Sequence, residues 1–177
     1  MESDSPVLIC FVATKEWWAP VMRWLLRCEY NHSFILFLDP MWKEWQTIDI
    51  TRDGVQILPW YRSFGRVKEI ECWKYKRSLL HGLQDSNNLI GAKYDWLGLS
   101  INVLRLFVWR LFGFRWRTPL HDVTRYMCFE FVISLLQLAG ISSALQLEPS
   151  LTPPEELRKF IQNNGGFEVV SCPIEVA

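Results

Sequence analysis

Three residues carry side chains suited to nucleophilic chemistry. Cys128 opens the most clearly patterned helix of the chain, about 127–139, in which Phe131, Val132, Leu135, Leu136 and Ala139 recur at helical spacing. A helix N-terminus offers unpaired N–H groups and positive partial charge, which favour a nucleophilic thiolate, and the apolar stripe behind would hold the sulfur still. A lone cysteine is also a common core residue, so position alone does not make it a catalyst. His32 starts an apolar run that ends at Leu38 and follows the polar Glu29-Tyr30-Asn31, which predicts an imidazole at a sheet rim. A thiol needs such a base within about 3 Å, and a satisfied rim histidine would look the same. Asp49 lies inside the β-rich run 46–50, where a carboxylate is disfavoured without a partner. If its strand neighbours that of His32, Asp49 can accept the second imidazole N–H and fix the tautomer. If not, it is a solvated acid on an exposed face. Asp39 and Glu44 sit in a turn-rich connection, His81 in a polar helix-like stretch and His121 in a Pro-rich loop, all weaker settings for this work.

Other chemistries find less support. The three histidines and five cysteines have no paired spacing of the kind zinc requires, so no metal and no cofactor is expected. There is no GxxxxGK[ST], GxGxxG or GxSxG, which removes the motif basis for nucleotide binding or an α/β-hydrolase. Nineteen Lys and Arg balance nineteen Asp and Glu, which excludes nucleic-acid binding through bulk charge. The stretch holding Arg105, Arg110, Arg115 and Arg117 among Phe107, Trp109, Phe112, Phe114 and Trp116 suggests nucleic acid or anionic lipid at first sight. At about 100° per residue those arginines fall near about 0°, 140°, 280° and 120°, so one helix would scatter them. A partly buried insertion lining a cleft is the favoured reading, with a lipid-binding element as its rival. The ten tryptophans read first as core and groove wall, then as a platform for carbohydrate or acyl chains.

The elements that must position these residues follow from the pattern. A buried strand is expected at 6–12 and a helix at 17–27 with Thr14 as its cap. The His32 strand is apolar on both faces and ends at Asp39-Pro40. Runs 46–50 and 55–58 flank Arg52-Asp53-Gly54, a strong hairpin signal. The stretch 61–75 is mixed and charged and reads as another strand within loops, and 76–88 is compatible with a helix. An apolar and basic insertion spans about 89–125, and the Cys128 helix ends at Gly140. A last helix starts at Thr152-Pro153-Pro154-Glu155-Glu156 with Thr152 as cap, and 167–170 is a final edge strand.

At 177 residues and 50% hydrophobic composition the chain suits one core and is too short for two ordinary domains. Five cysteines with no CxxC pair suggest reduced, mostly buried thiols. The acidic Met1-Glu2-Ser3-Asp4-Ser5-Pro6 start lacks the features of a Sec signal, and the apolar run 97–114 contains Arg105 and Arg110, which argue against a membrane span.

Taken in order, several pieces resemble the circularly permuted NlpC/P60 group of papain-like cysteine hydrolases, in which the histidine strand precedes the cysteine helix. They are Val21-Met22-Arg23-Trp24 before Asn31-His32, an acid in the next strand, Tyr94-Asp95-Trp96-Leu97-Gly98, Tyr126-Met127-Cys128-Phe129-Glu130-Phe131-Val132, and Leu151-Thr152-Pro153-Pro154-Glu155-Glu156-Leu157. The resemblance covers about residues 7–163. It implies an α+β, papain-like fold over 1–177, with a small antiparallel sheet packed against the cysteine helix. Cys128 would be the nucleophile, His32 the base and Asp49 the third polar residue, where the group more often has glutamate or histidine; Phe129 stands where it often has serine. Tyr94, with Trp96 and Tyr126, would meet the substrate: a peptide, amide or acyl compound, peptidoglycan peptides among them. The group also includes lipid acyltransferases, and an inactive module for assembly or partner binding keeps the same fold. Location would be cytoplasmic, or outside by a route without a Sec signal, as in a phage particle; oligomeric state is left open.

Overall fold

The computed structural model describes residues 6–113, 125–150 and 152–174. The chain begins with strand β1 (Val7–Thr14), helix α1 (Ala19–Leu26) and strand β2 (His32–Leu38). A hairpin of β3 (Trp45–Thr51) and β4 (Gly54–Pro59) follows, then the short helix α2 (Trp60–Phe64) and β5 (Val67–Tyr75). Next come α3 (Leu80–Asp85), the two-residue β6 (Lys93–Tyr94) and the long α4 (Trp96–Phe112). β7 (Arg125–Tyr126), α5 (Cys128–Leu138), α6 (Pro154–Asn163) and β8 (Phe167–Val170) complete the order.

Six strands form one antiparallel sheet in the order β4-β3-β2-β1-β5-β8. β1 lies inside it and is buried along its whole length, which is why it reads as an unbroken apolar run rather than an alternating one. Its side chains divide between two cores by the period of two. Val7, Ile9 and Phe11 join Ile35 and Ile48 beneath α5, whereas Leu8, Cys10 and Val12 join Phe34, Leu36, Phe64 and Val67 on the opposite face. Helix α5 enters the first core with Phe131, Val132, Ile133, Leu135 and Leu136 nearly free of solvent. Each such side chain contributes about 1.5–3 kcal/mol by leaving water, so this helix is anchored along its length. The fold is thus α+β, with an antiparallel sheet carrying helices on it.

Several sequence expectations need correction. Thr14 does not cap α1: it ends β1, where its hydroxyl accepts from Asn31 Nδ2 at 2.8 Å, and α1 begins after Trp18 with Pro20 in its first turn. Thr152 does not cap α6 either, since its hydroxyl donates back to Glu148 O at 2.8 Å and Pro153 holds the boundary. The mixed stretch 61–75 does hold the expected strand, β5, but that strand lies in the interior of the sheet and α2 rather than a loop precedes it. Its charged residues hid that position: Glu71 points to Arg158 rather than to water, with bonds of 3.1 and 2.8 Å. The polar stretch 76–88 gives only six residues of α-helix and then a 3-10 turn. β6 and β7 pair in parallel, outside the antiparallel scheme. Of the basic-aromatic insertion, 96–112 is helix, while Phe114, Arg115, Trp116, Arg117 and His121 lie outside the described residues. No helix among the described residues is long and apolar enough to cross a membrane.

Candidate active site

β2 and β3 are antiparallel neighbours, and His32 and Asp49 meet at that seam. His32 Nε2 lies 2.7 Å from Asp49 Oδ1. Asp49 is 2% exposed, so the solvated-acid alternative is overturned. Its other oxygen accepts from Ser63 Oγ of α2 at 2.9 Å, and Ser63 in turn meets Thr47 Oγ1 at 2.8 Å. The Arg66 guanidinium stands 3.9 Å from Oδ2 on the solvent side. Burial alone would raise the carboxyl, yet the His32 imidazolium, the Ser63 hydroxyl and Arg66 hold it below the usual carboxylate range.

An ionised carboxylate only accepts, so Nε2 carries the proton and Nδ1 is the ring atom left for a second partner. Cys128 lines the same cavity as His32, and its sulfur is near enough to act electrostatically on the imidazole. Burial opposes charge on the imidazole, but the Asp49 carboxylate and the Cys128 sulfur outweigh it and raise the histidine well above its ordinary value of 6.5. The imidazole side chain keeps 22% exposure. Cys128 is the first residue of α5 and 8% exposed, and its remaining surface faces a cavity. The sequence candidates Cys128, His32 and Asp49 are thereby brought together from three elements.

The cavity has a volume of about 550 Å³ and its wall includes His32, Asp49 and Cys128 together with Trp18, Met22, Phe34, Tyr94, Trp96 and Val103. The Tyr94 and Trp96 rings meet in a tilted contact, their centroids 4.6 Å apart. Burial and the nearby Cys128, Glu130, Asp95 and Asp49 push the Tyr94 phenol up, so it stays neutral. Tyr126 is aligned with Tyr94 through the parallel β6–β7 pairing. Arg105 of α4 also lines the cavity, in keeping with the cleft-wall reading of the insertion.

Four polar residues at the site escaped the reading of side-chain types. Ser63 and Arg66 lie in a stretch with no helix or strand period, and nothing in their spacing ties them to Asp49. Asn31 holds the entry to β2: its Oδ1 accepts from Thr14 N at 3.0 Å, and its Nδ2 donates to the Thr14 hydroxyl. Its place directly before His32 was the available signal. Glu130, third in α5, is buried and accepts from Met127 N at 2.8 Å, capping the helix that presents Cys128. Burial, with Asp95 nearby, raises Glu130 to about 7. The other four cysteines are free thiols; Cys10, Cys28 and Cys72 are buried, and Cys10 Sγ lies 3.5 Å from Cys72 Sγ.

Fold and site together define an α+β protein in which a helix-borne cysteine faces a histidine–aspartate pair on the sheet. No protein-family model matches the chain, and no curated protein matches it. Among solved structures it is similar to the metalloprotein yiiX from Escherichia coli O157:H7, DUF1105, with a TM-score of 0.53 and 13% identity over 94% of this chain and 96% of that one. At that identity the likeness is one of fold. Among the described residues no three His, Cys, Asp or Glu side chains cluster to hold a metal ion. Both Asp49 oxygens are already engaged by His32 and Ser63, so this site does not fit a metal.

Proposed function

We propose that the protein is a cysteine-dependent hydrolase of the amidase or peptidase type, with the permuted papain-like arrangement of the NlpC/P60 group. The observation that carries this reading is the His32 imidazole bonded to the Asp49 carboxylate at 2.7 Å and lining one cavity with Cys128, the first residue of α5. His32 Nδ1 takes the thiol proton, and the resulting imidazolium is held by Asp49. The thiolate attacks the carbonyl carbon, and the N–H groups of the first turn of α5, which have no carbonyl a turn earlier, face the developing oxyanion. Collapse expels the amine or alcohol as His32 returns the proton. A water, deprotonated by the same imidazole, then cleaves the thioester and frees the acid. Trp18, Met22, Phe34 and Val103 suit an apolar group beside the scissile carbonyl, with Tyr94 and Trp96 as a further wall.

The first test is competitive alkylation by limiting iodoacetamide from about pH 5 to about pH 9, each cysteine mapped by mass spectrometry, in wild type and His32→Ala. Fast labelling of Cys128 at low pH, lost in the variant, is expected. A panel of amide, ester and thioester compounds then gives the substrate class. Cys128→Ala should abolish turnover with the fold intact, and Asp49→Asn should lower it less than His32→Ala does. Full turnover by Cys128→Ala removes the nucleophile assignment. The low exposure of Cys128 favours one rival, an inactive module that binds a partner. That rival expects Cys128 to label as slowly as Cys10 and Cys72, regardless of His32.

A further inference from the structure

We infer that Thr47, sealed inside the sheet, is a positioning residue for the His32–Asp49 pair and acts on it through Ser63. Ile48 and Ile50 of β3 face the core beneath α5, which turns Thr47 and Asp49 together to the opposite face, against α2. Thr47 stands between Leu36 of β2 and Leu58 of β4 and is 0% exposed. Valine would fill that space with similar strand propensity and no polar group to bury, so the hydroxyl is explained by what it bonds. Its contacts are Ser63 Oγ at 2.8 Å and Leu58 O at 3.2 Å. Ser63 and Asp49 line the cavity, whereas Thr47 is not among the described residues of its wall. Any effect of Thr47 on chemistry there passes through Ser63.

The charge on Asp49 decides the direction of these bonds. A carboxylate only accepts, so the single Ser63 proton goes to Oδ2 at 2.9 Å, and across the 2.8 Å contact Thr47 must be the donor. A neutral Asp49 would instead donate to Ser63 and reverse both hydroxyls, leaving Thr47 the longer bond to Leu58 O. The row therefore favours the ionised acid, and bonds in such a row polarise and strengthen one another. It also fixes the carboxylate plane, because Ser63 of α2 holds one oxygen and His32 of β2 the other. Arg66, Tyr94 of β6 and Cys128 of α5 face the same pair. Arg66 is half exposed at 3.9 Å and screened by water, whereas the two hydroxyls are buried. The effect on turnover rests on the proposed role of His32 as base; the state of Asp49 is read without it.

The test follows the Asp49 carboxyl carbon by nuclear magnetic resonance from about pH 2 to about pH 7 in the full chain, as wild type, Ser63→Ala, Thr47→Val and Thr47→Ser. Asp49→Asn identifies the signal, and circular dichroism marks the range in which each protein stays folded. Ser63→Ala should raise the Asp49 midpoint by about one pH unit. Thr47→Val should raise it by less, and Thr47→Ser, which returns the hydroxyl, should restore it. Where wild type stays ionised over its whole folded range, a midpoint that enters that range in Ser63→Ala and Thr47→Val is the same result. On a verified substrate, Thr47→Val should lower kcat with KM unchanged, and Thr47→Ser should rescue it. An Asp49 that titrates alike in wild type and Thr47→Val overturns the inference, as does a Thr47→Ser that behaves like Thr47→Val. Should Thr47→Val fail to fold, Thr47→Cys, a weaker donor, replaces it under the same criteria. Slow Cys128 labelling indifferent to His32 would remove the hydrolase reading and leave the titration result standing.

Discussion

At the scale of single residues, the His32–Asp49 pair makes stability depend on pH in a direction fixed by its charges. His32 is raised above 6.5, so its pairing stabilises the fold fully below that value and is lost as pH rises through the raised one. Asp49 is lowered below 3.8, so its share is present above that value and fades as pH falls through the lowered one. The stability gap between wild type and His32→Gln should therefore be widest between about pH 4 and about pH 6.5 and shrink on the alkaline side. Urea unfolding across that range measures it, and a gap that widens with rising pH contradicts the pairing. These residues were legible in the sequence because their types are rare in their settings: an acid inside a β-run, a histidine at a strand start, a cysteine at a helix start. Ser63 was not, because a hydroxyl announces no partner until the chain around it has folded.

At the scale of elements, α5 presents its thiol through a cap that is itself titratable. Glu130 gains a proton more readily in the fold than in the open chain, so wild type loses stability as pH rises from 4.5 to about 7. Glu130→Gln keeps an acceptor for Met127 N without the buried charge. It should flatten that decline and exceed wild type by roughly 1–3 kcal/mol above neutrality; denaturant titrations at about pH 5 and about pH 8 decide this, and a parallel decline in both proteins refutes it. β1 and β2 were readable as unbroken apolar runs and the β3–β4 hairpin through its Asp53-Gly54 turn, because these are local signals. Gly54 adopts φ 106°, and a Cβ there would stand 2.1 Å from Ala92 O. The turn thus needs glycine twice over, once for the backbone and once for a neighbour that no local pattern reveals. β5 was obscured because its charges are answered by α6, far along the chain.

At the scale of the whole molecule, that answer ties the C-terminal part to the sheet. Arg158 of α6 grips Glu71 of β5 with both ends of its guanidinium and lies over the Tyr30 ring at 5.2 Å. Arg158→Met should lower stability by about 1–3 kcal/mol, since Glu71 is left half-buried without its counter-charge. A drop in the urea midpoint at constant slope checks it, and an unchanged midpoint would show the tie to be ornamental. The global order of the sheet could not be read locally, because β1 finds its partners β2 and β5 on either side of a long stretch of chain. That order has a consequence for biosynthesis. A ribosome releases His32 and Asp49 well before Cys128, so the hairpin and its hydrogen-bonded carboxylate can assemble while the nascent chain still lacks the Cys128 sulfur. On the proposed chemistry, the half-made protein is inert towards its own and neighbouring chains, and reactivity switches on only when the late helix docks.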